Sequence, residues 1–113
     1  MFRMFLISAF ATAMLAAPAT SNAADGAAVW KSNKCAMCHG DTGKGDSKMG
    51  QKKKVDDMTT ADWQKKFSDD AIKKAITEGV NRDKDGVKQK MKGYKLAADE
   101  LDALVKLIRS WAK

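Results

Sequence analysis

Cys35-Ala36-Met37-Cys38-His39 is the most specific pattern in this chain. Two thiols three positions apart can each form a thioether with one of the two vinyl groups of a single porphyrin. The imidazole that follows directly is then held beneath the iron, so the spacing reads as a covalent haem attachment site. Other readings need context that the chain lacks. A redox dithiol of the thioredoxin kind needs a βαβ setting, and no β-rich runs are evident. A tetrahedral zinc site needs four ligands, whereas the chain offers two cysteines and one histidine. A structural disulfide suits an oxidising compartment and stays as an alternative.

Outward from the motif, the N-terminus reads as an export signal. Arg3 supplies a positive start, Met4 to Ala17 is almost wholly apolar, and Ser21-Asn22-Ala23 offers small residues for cleavage. That pattern is a secretory signal peptide over residues 1–23, too short for a comfortable membrane span. An uncleaved anchor is the second reading. Cleavage after Ala23 removes 23 of the 113 residues and leaves 90, one small domain over residues 24–113 with a modest core. An apolar macrocycle would enlarge that core.

Of the 21 basic residues, the signal holds Arg3 alone, and it holds none of the 14 acidic ones; the mature part is therefore +6. Two propionates would bring this to about +4. Export excludes nucleic acid as the natural partner of this charge. What remains is an acidic protein face, an anionic membrane surface, or solubility alone.

Along the mature chain, Asp25 to Asn33 reads as a short helix with Gly26 and Trp30 on one face. Gly40 to Asp46 carries three glycines and reads as a tight loop; it has neither the G-K-[ST] ending nor the preceding strand of a phosphate loop. Ser47 to Asp57 continues that loop. Thr59 or Thr60 caps a short helix holding Trp63, which either packs in the core or offers its indole N–H to a propionate. Ser68 caps a clearer helix that Gly79 ends. Asn81 to Tyr94 shows no apolar periodicity and reads as loop. Leu96 to Ala112 is the strongest helical pattern, with Leu101, Leu104, Val105, Ile108 and Trp111 on one stripe and an i,i+4 pair between Asp102 and Lys106.

One histidine leaves the iron a second axial position, and a methionine thioether is a soft donor suited to it. The mature candidates are Met37, Met49, Met58 and Met91. Met37 lies between the thiols and cannot reach across the ring. Met49 and Met58 are close in sequence to the histidine, and core filling is the bland reading of Met58. Met91 stands in a polar segment with no helical stripe to join, 52 residues after His39. It is the expected ligand.

With these motifs in view, the chain resembles a class I c-type cytochrome of the small bacterial periplasmic kind. The resemblance runs from Gly26 and Trp30 through Cys35-Ala36-Met37-Cys38-His39-Gly40, the glycine-rich loop, Trp63 and the 68–78 helix. It ends with Met91-Lys92-Gly93-Tyr94 and the helix holding Leu104-Val105-Lys106-Leu107-Ile108-Arg109. It implies an all-α fold of crossed N- and C-terminal helices wrapped round one haem c, attached through Cys35 and Cys38. It also implies a periplasmic, soluble, monomeric one-electron carrier with His39 and Met91 as metal ligands, not an enzyme. Many members carry a proline after the haem histidine whose carbonyl orients the imidazole. The mature chain has none, so a carbonyl near Met49–Gly50 is expected to serve. Lys88, Lys90, Lys92 and Lys95 are expected at the haem rim, as a docking face for redox proteins with acidic surfaces. The alternatives are a haem enzyme subunit or sensor whose methionine is displaced, and a haem-free dithiol protein.

Overall fold

A computed structural model describes residues 24–113; the signal read over residues 1–23 lies outside the described residues. The elements run α1 (Gly26–Ser32), α2 (Ala36–His39), α3 (Lys48–Lys52), α4 (Ala61–Lys66), α5 (Asp69–Glu78), β1 (Val80–Lys84), β2 (Val87–Met91) and α6 (Ala98–Ser110). No described helix is long and apolar enough to cross a membrane.

Side-chain caps start four of the helices. Asp25 accepts from the Ala27 amide at 3.0 Å, Ser47 from Gly50 at 3.0 Å, Thr60 from Trp63 at 3.3 Å and Ser68 from Ala71 at 3.1 Å. Each satisfies an amide that the helix itself cannot, typically worth about 1 kcal/mol. Ala97, ahead of α6, has no side-chain oxygen to offer. Only the reverse half of a capping box forms there, Ala97 N–H donating to Glu100 Oε1 at 3.1 Å.

α1 packs across α6, as the resemblance implies. Gly26 makes the close approach feasible: a Cβ on it would stand 3.2 Å from Leu107 Cβ and run into the Ala103 backbone. Val29 and Trp30 of α1 then join Leu104, Val105 and Ile108 of α6, with Met58 and Ile72, in one buried cluster. Trp111 meets Trp30 edge-on, ring centroids 5.0 Å apart. Arg109 ties the end of α6 to α4 and α5, donating to Asp69 Oδ1 at 2.9 Å, Gln64 O at 2.7 Å and Phe67 O at 2.6 Å. The Asp102–Lys106 pair gives way to a bridge between helices, Lys73 Nζ to Asp102 Oδ1 at 2.6 Å.

Three expectations are corrected. The fold is mostly helical but not strictly all-α, and residues 81–94 are not simply loop: β1 and β2 form an antiparallel hairpin pairing Val80 with Met91 and Lys84 with Val87. Its turn is Asp85-Gly86, both at positive φ (49° and 79°). That combination matches the right-handed twist of a two-residue hairpin, and Asp-Gly is the sequence that supplies it. Residues 47–57 are also not all loop, because the Ser47 cap opens α3.

Candidate functional site

A cavity of ≈ 330 Å³ opens between α5, α6, the hairpin and α2, within the size range of cofactor pockets. Its walls are mainly apolar, including Trp63, Phe67, Ile72, Ile76, Leu104 and Ile108. Cys35, Cys38, His39 and Met91 all border it. The four residues expected to hold a cofactor are thus brought to one space.

The local chain explains the first three. After α1 the backbone turns at Lys34 (φ 56°), and the Cys35 amide donates to Trp30 O at 3.1 Å. A single helical turn follows, its His39 amide donating to Cys35 O at 3.0 Å. Positions i, i+3 and i+4 of such a turn share a face, so Cys35, Cys38 and His39 point together. Both thiols are free. Burial pushes the Cys35 thiol above its ordinary range. Burial also lowers the His39 imidazole, against the opposing charge of Asp56; the neutral form that results is the one that can bind a metal. The Trp30 ring leans on the imidazole with centroids 5.7 Å apart.

The carbonyl expected to orient His39 is absent from the described residues. Nδ1 of His39 is buried and has no hydrogen-bond partner. The candidate oxygens bond elsewhere: Met49 O accepts from the Lys53 amide and Gly50 O from the Val55 amide, each at 2.9 Å.

The methionines separate by position. Met37 and Met49 are exposed (60% and 40%), whereas Met58 is buried in the core cluster. The Met58 methyl lies beside Gly43, where Trp111 also covers that glycine. Met91 ends β2, half-buried, with Val87 and Gln89 on its side of the strand. Lys88 and Lys90 alternate to the other side, and Lys88, Lys90, Lys92 and Lys95 are all exposed. Trp63 borders the cavity and packs on Phe67, centroids 5.0 Å apart.

Sequence reasoning missed a polar edge to this cavity. Asp56, Arg82 and Gln89 border it. Asp56 pairs with Lys84 and with Arg82 Nη2 (3.4 Å). Burial raises the Asp56 carboxyl, but the hydrogen bond and charge of Lys84, with Arg82 behind, outweigh it and hold the group below its ordinary value. Burial raises the Tyr94 phenol above its ordinary value, and Tyr94 borders the cavity together with Cys35 and Cys38. The missed signal was Asp85-Gly86 between two valine-led runs, a hairpin signature.

Two free thiols and a neutral imidazole on one face of an apolar cavity fit a thioether-bound porphyrin. A family model described as cytochrome c matches residues 23–112. Among solved structures, the KustC0563 c-type cytochrome is 29% identical, with a TM-score of 0.64, over 80% of this chain and 100% of that one. No curated relative matches significantly.

Proposed function

The chain belongs to the cytochrome c family, in its class I form, and from that premise we propose that it is a periplasmic one-electron carrier with His39 and Met91 as its axial ligands. The family binds covalent haem c, and Cys35 and Cys38 are the thiol pair of this chain. When bound, the haem supplies a reversible ferric–ferrous couple.

The observation that carries the reading is the convergence of both thiols, the imidazole and Met91 on one apolar cavity. His39 gives a neutral nitrogen from α2, and Met91 a soft sulfur from the end of β2. Met58 is the other methionine bordering the cavity, but its methyl is committed to the packing around Gly43. If His39 and Met91 together hold the iron, no position would be left for a substrate, which favours a carrier over an enzyme. The apolar walls exclude water and so raise the energetic weight of the polar groups that remain, the means by which a protein tunes a potential. The signal read over residues 1–23 supports export. Exposed Lys88, Lys90, Lys92 and Lys95 give an acidic redox partner a surface to meet.

Visible and near-infrared spectra of the wild type and Met91→Ala test the proposal. The variant should lose the sulfur-to-iron charge-transfer band and, when reduced, bind carbon monoxide. Survival of the band would transfer the assignment to Met58.

A further inference from the structure

We infer that Gln89 is a positioning residue: it sets where Met91 sits relative to His39 by tying the strand that carries one to the helices that carry the other. This rests on the reading of Met91 as a ligand. Gln89 is a polar side chain buried in a β-strand, 8% exposed. Both its amide hydrogens are used, Nε2 donating to Lys53 O at 2.8 Å and to Lys54 O at 2.9 Å. Its Oε1 accepts from Arg82 Nε at 2.7 Å. Holding a long side chain in one conformation has an entropic cost, and leaving buried amide groups unpaired costs more. This is therefore a defined strut and not a chance surface contact.

The strut has firm ends. The two carbonyls lie just past the C-terminus of α3. α3 is fixed to α2: Ser47 Oγ donates to Met37 O at 2.7 Å, and Gly50 rests directly on the backbone of Cys38 and Gly45. α2 ends in His39. At the other end, alternation places Met91 two residues beyond Gln89 on the same side of the strand. The base of the hairpin is held separately, Tyr94 N–H donating to Ile76 O at 2.8 Å. Losing the strut should loosen Met91 without detaching the hairpin. The neighbouring Lys84 and Arg82 contacts to Asp56 are more exposed and more readily screened.

The test uses the haem-loaded protein and imidazole, which competes with Met91 for ferric iron. Gln89→Ala should raise imidazole affinity roughly 5- to 30-fold, the worth of one or two neutral hydrogen bonds, and weaken the charge-transfer band. Gln89→Glu keeps the shape and the Arg82 contact but has no hydrogen for the two carbonyls. It should act the same way, and it carries the test alone if the alanine variant does not fold. Wild-type imidazole affinity in Gln89→Glu, with the band lost in Met91→Ala, overturns the strut and leaves the ligand reading intact. A band that survives Met91→Ala removes the ligand reading, and this inference with it.

Discussion

Gly50→Ala separates two opposed effects at the joint between α2 and α3. Gly50 is inside α3 at an ordinary helical φ, so alanine there should favour the helix by up to about 1 kcal/mol. Space argues the other way. A Cβ at this position would stand 2.6 Å from Gly45 O and closer still to Cys38 O. Reaching ordinary contact, about 3.4 Å, requires a shift near 0.8 Å at the first of these. Both obstacles are backbone, so no rotamer change relieves them. With two backbone obstacles to clear, overpacking here falls in the upper part of its usual range, about 2–3 kcal/mol. Against the propensity gain, the net loss is about 1–2 kcal/mol. For a domain of this size, that lowers the melting temperature by roughly 4–16 °C. The shift also moves the carbonyls of Lys53 and Lys54 relative to Gln89, so imidazole affinity should rise in parallel. Thermal unfolding followed by circular dichroism, with an imidazole titration, reads both. A melting temperature equal to or above wild type would refute the reasoning, because helix propensity would then outweigh the contact.

Gly86→Ala meets nothing within 4 Å, yet Gly86 sits at φ 79°; left-handed strain alone should cost about 1–2 kcal/mol, measured by denaturant unfolding, with haem spectra unchanged. The Asp56 carboxyl is held below its ordinary value in the fold, so its contribution is complete above the unfolded value, near 3.9. That contribution is lost as pH falls from there through the folded value. Wild-type minus Asp56→Asn unfolding midpoints should therefore be steady from pH 7 to about 5 and shrink below about 4; a difference flat down to pH 2 would contradict the pairing. Stopped-flow electron transfer with an acidic redox protein should slow as salt rises, the result expected if the exposed lysines steer docking. Replacing Lys88, Lys90, Lys92 and Lys95 with glutamine should flatten that dependence.

Much of this molecule could be read from local chemistry. Two thiols and an imidazole at i, i+3 and i+4 must share a face if the segment is helical, so the attachment site needed no tertiary information. The caps at Asp25, Thr60 and Ser68, and the stripe on α6, are likewise short-range features, and each element formed where its pattern ran. The hairpin was also local in origin. A search for helical periodicity passes over it, because Val87, Gln89 and Met91 alternate at period 2 and one of the three is polar.

Other features depended on which surfaces meet in three dimensions. Asp102 had a lysine four residues away on its own helix and another on α5; only the packing of α5 against α6 selected Lys73. That buried Nδ1 of His39 meets no carbonyl from Met49 or Gly50 depends on how α3 packs on α2, which spacing along the chain does not specify. Gln89, Arg82 and Asp56 are up to 33 positions apart in the chain and form one cavity edge because the hairpin folds back on the residues after α3. Spacing along the backbone determines which groups can share a helix face. Partners distant in sequence are decided only when the elements close on one another, because a hydrogen bond reaches about 3 Å and carries no signal along the chain.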